Sequence, residues 1–466
     1  MVQELCHAFL PQMVEFSITM RSVKIIGAGL AGSEAAWQVA KAGVQVELYE
    51  MRPIRQTGAH VTDSFAELVC SNSLGSLLKN KASGLLKDEL RMLGSLLIEC
   101  ADQCTIPAGS ALAVDRELFS SLVTHKLSNN PYIRIHREEV TRIPEGPAIL
   151  SSGPLTSPAL EIALQEFTGA EQLFFYDAIS PSIETSSIDM SIAFKGSRYK
   201  FKEEDTGDYI NCPLDQEQYQ RFLSELSKAE TFPLHEFENQ IPLGVRTSFF
   251  EACLPIEIMA KRSPMSLEFG PMRPVGIHNP HKEEKPRAVV QLRQDNRSGT
   301  EYNMVGFQTN LIAREQQRVF RMIPGLENAT FTRFGQMHRN TYMNSPKLIK
   351  PTLQSRFNPE LFFAGQITGI EGYVGNIVSG LIAGLNIVRF LHGIPLLIFP
   401  IETMTGSLLE HVSQSEENSF QPVKANFGLL PALPNLFLNK SERGCFYSKR
   451  ALLSLTSFLR ENRVNS

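Results

Sequence analysis

The chain has 466 residues, of which 42% are hydrophobic and 20% are charged, and its formal net charge is -4. This balance is typical of a folded globular protein and excludes a disordered chain, and the length suffices for two domains or for one domain with an insertion. The negative charge argues against nonspecific coating of nucleic acid, because that binding depends on Lys and Arg neutralising phosphates.

The first predicted elements form a compact unit near the start of the chain. An apolar run at residues 23–26 turns at glycine into an Ala-rich stretch at 31–42, and a second alternating run ends at Glu50. This order predicts a strand, a helix and a second strand within about thirty residues, which is the length of a βαβ unit.

The following segments alternate in the same way. Residues 116–127 predict a helix, 133–143 and 148–150 predict strands, 158–167 predict a helix, and 173–176 predict a strand. Strands that alternate with helices indicate an α/β layer.

The character of the sequence changes at about residue 215. A polar helix to residue 229 is followed by Pro-, Arg- and Met-rich sequence and by strand-like runs at 288–292 and 302–307. A strand at 361–364 and a helix at 375–391 then return to the first pattern, and a last apolar helix is expected at 448–460. We interpret the middle segment as an inserted domain.

The seven cysteines are few and irregularly spaced, which argues against a disulfide framework and favours a reducing compartment such as the cytoplasm. Cys100 and Cys104 have helical spacing, but no further Cys or His cluster completes a metal site, so we expect two core thiols and no metal. The first twenty residues lack the features of a signal peptide, and the apolar stretch at 381–401 contains Arg389, His392 and Pro395. We therefore expect neither secretion nor a membrane span, and no feature requires a protein partner.

A glycine-rich loop follows the first predicted strand. Gly27, Gly29 and Gly32 form G-x-G-x-x-G, in which Ala28, Leu30 and Ala31 fill the variable positions. Such glycines permit a tight turn and let backbone N–H groups approach a pyrophosphate, and Glu50, at the end of the second strand, would accept hydrogen bonds from ribose hydroxyls. The combination predicts dinucleotide binding, and an acidic residue at position 50 disfavours a 2'-phosphate there.

A second glycine cluster, at residues 365–375, also follows a strand and precedes a helix. In flavoproteins of this architecture, such a late turn brings backbone N–H groups to the flavin end of the cofactor. The cluster thus favours FAD over NAD, with a ligand-free turn as the alternative.

Eight ordered strings carry a resemblance to a known family: residues 27–32 (GAGLAG), 57–74 (TGAHVTDSFAELVCSNSL), 111–116 (ALAVDR), 153–157 (GPLTS), 250–257 (FEACLPIE), 269–276 (FGPMRPVG), 289–296 (VVQLRQDN) and 363–374 (FAGQITGIEGYV). They resemble the folate-dependent tRNA (uracil-5-)-methyltransferase family, and the similarity extends from residue 20 to 425–430 (ANFGLL). One departure stands at Gly375 and Asn376, where that family usually has Glu-Ser.

The resemblance implies FAD as cofactor, 5,10-methylenetetrahydrofolate as carbon donor, NAD(P)H as reductant and the T-loop uridine at position 54 of tRNA as target. Together with the elements above, it predicts a Rossmann-like FAD-binding domain in two parts, 20–214 and 326–466, around an inserted α+β domain at 215–325, and residues 1–19 form an extension before a possible start at Met20. It also implies two functional thiols. We expect Cys253, near Arg246, Lys261 and Arg262, to be the nucleophile toward uracil and Cys70 to be a flavin-side partner or second thiol.

The cofactor contacts expected from the two glycine loops and the resemblance are Gly27, Ala28, Gly29, Leu30, Ala31, Gly32, Glu50, Gly153, Gly365, Gln366, Gly372 and Tyr373. For RNA, residues 314–356 hold eight Lys and Arg against Glu315 and Glu327, which predicts a phosphate-binding patch or, equally, a solvated face. The candidates are Arg314, Arg318, Arg333, Arg339, Lys347 and Lys350, with Tyr342 or Tyr373 for base stacking.

Three other functions fit parts of the sequence. A larger FAD enzyme that adds carboxymethylaminomethyl groups to wobble uridines shares the glycine motif, but it carries a long helical C-terminal extension. A tRNA-binding flavoprotein that acts as a folding chaperone without essential catalysis is a second alternative. A disulfide reductase is disfavoured, because no closely spaced cysteine pair follows the first βαβ unit.

Overall fold

The computed structural model describes residues 22–169, 173–198, 207–232, 254–263, 265–434, 439–462 and 464. The predicted extension at 1–19 and the predicted nucleophile Cys253 lie outside the described residues. The helices and strands are given below in chain order.

The first part of the chain contains β1 (Val23–Ile26), α1 (Leu30–Lys41), β2 (Val46–Tyr49), β3 (Ser73–Ser76), α2 (Ala82–Met92), α3 (Leu96–Gln103), β4 (Thr105–Ile106), β5 (Ala111–Val114), α4 (Arg116–Ser128), β6 (Ile133–His136), β7 (Ala148–Leu150), α5 (Pro158–Thr168) and β8 (Leu173–Ala178). The middle part contains β9 (Ser182–Glu184), β10 (Phe194–Lys195), β11 (Tyr209–Leu214), α6 (Gln216–Lys228), α7 (Ile256–Arg262), α8 (Ser266–Phe269), β12 (Ala288–Gln294), β13 (Glu301–Met304), α9 (Ala313–Phe320) and β14 (Phe331–Arg333). The last part contains β15 (Met337–Tyr342), α10 (Ser345–Leu348), β16 (Leu361–Phe363), α11 (Tyr373–Leu391), α12 (Met404–Gln414) and α13 (Lys440–Glu461).

A five-stranded parallel sheet of order β16-β7-β1-β2-β6 forms the centre of the first fold. Its middle strands β7, β1 and β2 are apolar at every position except Lys24 and Glu47, because helices cover the sheet. Since β1 and β16 run in the same direction, the loops that follow them meet at one edge of the sheet. The two glycine loops of the sequence are these two loops.

Helices α1 and α11 begin at those loops and pack closely against each other. Small residues allow this contact, because a Cβ built on Gly380 would lie 2.1 Å from the backbone oxygen of Ala31. The side-by-side packing brings both helix N-termini to the same edge of the sheet.

A second sheet is antiparallel, has the order β10-β11-β12-β13-β9-β14, and carries a core of its own with α6, α7 and α9. This sheet contains strands before residue 215 and after residue 325, so the predicted limits of the inserted domain, 215 and 325, would cut through it. Strands β8 and β15 pair with each other in antiparallel fashion where the chain leaves and re-enters the first fold. We therefore propose that the inserted domain lies between β8 and β15.

Most of the predicted elements are present within one or two residues of their expected ends. The predicted strand at 133–143 is shorter, since only Ile133–His136 pairs with β2. The last helix is longer than expected and begins at Lys440, where Asn439 and Glu442 form a capping box.

Candidate functional site

A cavity of about 360 Å³ lies at the edge of the parallel sheet where the two glycine loops meet. This volume is within the range of about 300–1,000 Å³ that is common for small-molecule sites. Ten of the twelve predicted cofactor contacts line it, namely Gly27, Gly29, Leu30, Ala31, Glu50, Gly153, Gly365, Gln366, Gly372 and Tyr373.

The first glycine loop is shaped for close approach of a ligand. Gly27 has φ of +96°, which other residues rarely adopt, and Gly29 is the N-cap of α1 without a side-chain cap. A Cβ on Gly29 would meet nothing within 4 Å, whereas a Cβ on Gly32 would lie 1.8 Å from the Gly27 oxygen. Gly29 thus leaves room for a ligand at the positive end of a helix, and Gly32 allows the helix to pack on its own loop.

Glu50 lies beside this loop and is 5% exposed. Its carboxylate accepts hydrogen bonds from Ala28 N at 3.1 Å and from Arg52 Nε at 2.9 Å, and Arg52 also pairs with Glu67. Burial alone would raise the pKa of Glu50, but the hydrogen bond and charge of Arg52 hold it below its usual value. Glu50 is therefore an ionised acceptor in a fixed position, and Ala28 orients it rather than lining the cavity.

The late glycine loop provides the opposite wall. Gly365 and Gly372 both have φ of +84°, and Gly372 is the N-cap of α11 without a side-chain cap. The first turns of α1 and α11 therefore present backbone N–H groups to one cavity. This arrangement fits FAD, whose pyrophosphate needs such donors at one loop and whose ring system needs contacts at a distance from it.

Cys70 also lines the cavity, where its backbone is tied to α11. The N–H groups of Cys70 and Ser71 donate to the hydroxyl oxygen of Tyr373 at 2.8 Å and 3.0 Å. Burial raises the pKa of Tyr373 far above its usual value, and the charge of Cys70 adds to this effect. Tyr373 consequently stays a neutral phenol that fixes the position of the Cys70 loop.

Three arginines from different elements adjoin the Cys70 loop. Arg293 on β12 donates to Asn72 Oδ1 at 2.7 Å and to Ser71 Oγ at 3.0 Å, and Arg116 on α4 pairs with Asp295 at 2.9 Å. Burial, followed by the charge of Arg116, lowers the pKa of the nearby Arg333 on β14. Three guanidinium groups near one carboxylate, that of Asp295, leave a net positive charge beside the Cys70 loop.

The predicted RNA-binding side chains are scattered. Arg314 pairs with Glu230, and Arg318 pairs with Glu225 and Glu315, so acidic residues near the end of α6 neutralise part of the predicted patch. Lys347 is exposed, and Lys350 donates to Gln354 at 2.9 Å. Arg333 lies at the Cys70 loop rather than on a common face, and the side chain of Arg339 lies outside the described part of the structure.

The prediction that Tyr342 offers its ring to a base is not supported. Tyr342 is 3% exposed and packs against Phe420 at 6.1 Å between ring centroids, and burial raises its pKa to about 12. A ring in the core cannot stack on an RNA base without local rearrangement. Tyr373 is likewise engaged by the Cys70 loop.

Cys100 and Cys104 are buried in the first core, and burial raises the pKa of Cys100 to about 12. Across the residues that the structure describes, no group of three or more His, Cys, Asp or Glu is placed to hold a metal ion. In the same part of the chain, one helix, α11, is both long enough and apolar enough to span a membrane, and most of it is buried within the fold.

Sequence reasoning missed several side chains that line the cavity or orient its walls. The missed residues are Arg52, His60, Glu67, Arg116, Arg293, Asn340, Glu371, Asn376 and Lys424. Five of these residues do lie within the strings quoted above, so a signal was present for them: His60 and Glu67 in 57–74, Arg116 in 111–116, Arg293 in 289–296 and Glu371 in 363–374. The other residues belong to segments whose approach to the cavity depends on tertiary contacts.

Comparisons with known proteins place the chain among sequences with the same combination of loops. The family model for glucose inhibited division protein A matches residues 22–395. The chain is 52% identical over 437 residues to the methylenetetrahydrofolate–tRNA-(uracil-5-)-methyltransferase TrmFO of Bacillus subtilis, a match that covers 93% of this chain and 98% of that relative. The chain belongs to the TrmFO family.

Two further members of the family show similar agreement. The relative from Listeria monocytogenes serotype 4b is 52% identical over 434 residues, covering 93% of this chain and 97% of its own length. The relative from Heliobacterium modesticaldum is 52% identical over 444 residues, covering 95% and 99%. The predicted family is thus confirmed.

Solved structures confirm the predicted fold. The form II crystal structure of Aquifex aeolicus GidA superposes with a TM-score of 0.68 at 17% identity, covering 96% of this chain and 74% of that one. The form I crystal gives a TM-score of 0.66 at 16% identity, covering 96% and 76%. At such low identity the likeness extends to the fold, a Rossmann-like FAD-binding domain with an inserted domain, and not to activity.

Proposed function

We propose that this protein is an FAD- and folate-dependent methyltransferase that methylates C5 of the T-loop uridine at position 54 of tRNA. The carbon comes from 5,10-methylenetetrahydrofolate, and the reducing hydride comes from FADH2 that NAD(P)H regenerates. One observation carries the proposal: relatives that match almost end to end at 52% identity bear names that state this carbon donor and a tRNA uracil C5 target.

The reaction explains why a thiol and a flavin belong in one cavity. Uracil C5 becomes nucleophilic when a thiolate adds at C6, because the added electron pair is relayed to C5. The transferred carbon arrives as a methylene group, so one hydride is needed to reach a methyl group, and the C5 proton and the thiolate must leave. When bound, the reduced flavin supplies that hydride.

The nucleophile in this proposal is Cys253. The described residues that follow it support the assignment, because Ile256 N donates to Gln308 O at 2.7 Å and Gln308 lines the cavity. The chain therefore enters the described part of the structure beside the cavity wall. Glu257 strengthens this attachment by accepting from Asn310 N and Thr309 Oγ1, both at 2.8 Å.

Cys70 is proposed as the second thiol. Tyr373 holds its backbone within the cavity, and the arginines at the Cys70 loop favour a negative group there. In the proposed role Cys70 faces the flavin side of the reaction, whereas Cys253 faces the base.

The target base must leave its stack to reach the cavity, since enzymes that modify bases need the reacting atom exposed. We propose that exposed basic side chains outside the cavity hold the tRNA backbone, among them Lys347. Arg314 and Arg318 can contribute only by exchanging their present carboxylate partners for phosphates. We also propose that the protein acts in the cytoplasm.

Sequence identity favours this proposal over the wobble-uridine alternative. The chain is 52% identical to the Bacillus subtilis methyltransferase along nearly the whole length of both chains, and the printed name of that relative states a tRNA uracil C5 target.

The first test uses purified protein. We expect bound flavin in its absorbance spectrum and transfer of one labelled carbon from methylenetetrahydrofolate to a T-arm transcript when NAD(P)H is present. Cys253→Ala and Cys70→Ala should each lose this activity, whereas Cys445→Ala serves as the matched control, since Cys445 is exposed on α13. Full methylation by both of the first two variants would contradict the assigned roles.

The second test uses tRNA from cells that lack the protein, analysed by mass spectrometry. Loss of 5-methyluridine at position 54 supports the proposal, and loss of a wobble modification with 5-methyluridine intact contradicts it. Unchanged modification with altered tRNA folding would instead favour the chaperone alternative.

A further inference from the structure

One exposed surface is formed by α7, α8 and the loop that follows α8. Met265 and Phe269 lie one helical turn apart, since Phe269 N donates to Met265 O at 3.2 Å, and their exposed fractions are 54% and 75%. Lys261 and Arg262 are exposed at the end of α7, which packs against α8, and Arg273 is exposed in the loop after α8. These five residues are called the α7–α8 face below.

The exposed charges of the α7–α8 face have one sign. Within the described residues 254–263 and 265–280, every exposed charged side chain is basic, because both glutamates of this segment are buried. In the described part of the structure, Lys261 and Arg273 form no ion pair with a carboxylate. The next exposed charges, at 282–285, are two Lys and two Glu and cancel each other. The face is therefore complementary to a polyanion.

The exposed ring of Phe269 stands on a fixed backbone. Met272 is 0% exposed, its N–H donates to Leu267 O at 2.8 Å, and its carbonyl oxygen accepts from Val289 N on β12 at 2.9 Å. These contacts hold the loop after α8 against the second sheet. A ring on a rigid support loses little conformational entropy when a ligand covers it, which favours binding.

The α7–α8 face adjoins the wall of the cavity. Pro271 packs on Gly306, where a Cβ would lie 2.5 Å from the Pro271 Cβ, and Gly306 lies two residues before Gln308, which lines the cavity. At the start of α7, Ile256 N donates to Gln308 O at 2.7 Å. The face thus begins at the same cavity wall at which the chain enters the described structure after Cys253.

A looped RNA fits this combination of an aromatic ring and basic side chains. Unpaired bases stack on aromatic side chains, and the phosphates that join them pair with Lys and Arg. A duplex offers phosphates but keeps its base faces covered, so it would use the charges and leave the ring exposed.

We propose that the α7–α8 face binds the T-loop of the tRNA, with Phe269 stacked on an unpaired base beside the extracted uridine and with Lys261 and Arg273 at phosphates. The inference rests on the proposed function, which brings a looped RNA to the cavity without stating which surface receives it. Phe269 takes the stacking role that the buried ring of Tyr342 cannot take.

The first measurement is the affinity of the FAD-loaded protein for a T-arm transcript and for the same stem as a duplex without its loop. Phe269→Ala should bind the transcript about tenfold more weakly than wild type but should bind the duplex equally well. Phe269→Trp keeps a flat ring and should bind the transcript at least as tightly as wild type, whereas Phe269→Leu, which is apolar but not aromatic, should bind as weakly as Phe269→Ala. Phe446→Ala is the matched control, because Phe446 is 47% exposed on α13.

The salt dependence of binding separates the charges from the ring. Lys261→Gln and Arg273→Gln should each weaken binding and lower the slope of log affinity against log salt concentration by about one, because each removes a phosphate contact. Phe269→Ala should leave this slope unchanged. Lys449→Gln is the matched basic control on α13, where Lys449 is exposed, and it should alter neither the affinity nor the slope.

Wild-type affinity of Phe269→Ala for the transcript would overturn the inference. Wild-type affinity of Phe269→Leu would also overturn it, because an apolar contact would then suffice without stacking. Sedimentation that finds a dimer for wild type and a monomer for Phe269→Ala would overturn it in favour of an interface between two copies of this chain. A wild-type protein that neither binds nor methylates the transcript would refute the proposed function itself, which is a separate outcome.

Discussion

Replacement of Tyr373 by phenylalanine isolates the contact that holds Cys70 in the cavity. The change removes one oxygen atom and keeps the buried ring. That oxygen accepts two backbone N–H groups, from Cys70 at 2.8 Å and from Ser71 at 3.0 Å. The variant therefore leaves two donors without a partner inside the protein.

The magnitude follows from these two contacts. An unsatisfied buried donor costs about 1–3 kcal/mol, and the cavity beside Cys70 admits water that replaces part of the loss, so we expect about 2 kcal/mol in total. If the fixed loop is required in the transition state, 2 kcal/mol corresponds to about a thirtyfold decrease in kcat. Binding of tRNA should change little, because the backbone contacts that we propose lie outside the cavity.

The assay is single-turnover methylation of a T-arm transcript by FAD-loaded enzyme at saturating folate. Tyr302→Phe provides the matched control, because Tyr302 is a buried tyrosine in the second core and does not line the cavity. We expect the control to retain the wild-type rate. A Tyr373→Phe enzyme within twofold of wild type would refute the reasoning, since the hydroxyl would then have no role in placing Cys70.

Three further changes test other parts of the site. Gly29→Ala should melt like wild type but bind FAD at least about tenfold more weakly. Gly32→Ala, whose Cβ would lie 1.8 Å from a backbone oxygen, should lower the free energy of unfolding by about 1–3 kcal/mol. Equal melting temperatures for the two variants would contradict this prediction. Glu50→Gln should weaken FAD binding about tenfold by altering an ionised acceptor that Arg52 holds in place, and unchanged affinity by fluorescence titration would remove Glu50 from the site. Lys87 is 0% exposed, and burial lowers its pKa from 10.5 to about 7. Between these two pH values the unfolded chain retains a proton that the folded chain lacks, so a rise in pH stabilises the folded state. The free energy of unfolding of wild type should therefore increase by up to about 5 kcal/mol, relative to that of Lys87→Met, as the pH rises from 7 toward 10.5. Denaturant titrations at several pH values would show a constant difference if this assignment is incorrect.

The sequence predicted the parallel sheet, the two glycine loops and their helices because each depends on neighbouring residues. A turn with φ of +96° at Gly27 or +84° at Gly372 requires glycine at that position, and strand, loop and helix follow one another along the chain. The meeting of both loops in one cavity then follows from the common direction of β1 and β16.

Interpretation of the charges along the sequence was less reliable. The prediction of a basic patch compared basic with acidic residues only within 314–356. It therefore did not include Glu225 and Glu230, which are distant in sequence but pair with Arg318 and Arg314. The burial of Tyr342 depends in the same way on Phe420, which the chain supplies much later. Exposure and ion pairing are properties of long-range contacts, so a local pattern does not determine them.

The sequence by itself therefore determined the family, the fold class and the glycine loops, because backbone conformation and hydrophobic periodicity are local requirements. Only the tertiary structure brought Arg116, Arg293 and Arg333 to the Cys70 loop and placed Tyr373 beneath the backbone of Cys70. Electrostatic potential and hydrogen-bond satisfaction depend on all groups that surround a side chain in space, and these groups come from segments far apart in the chain.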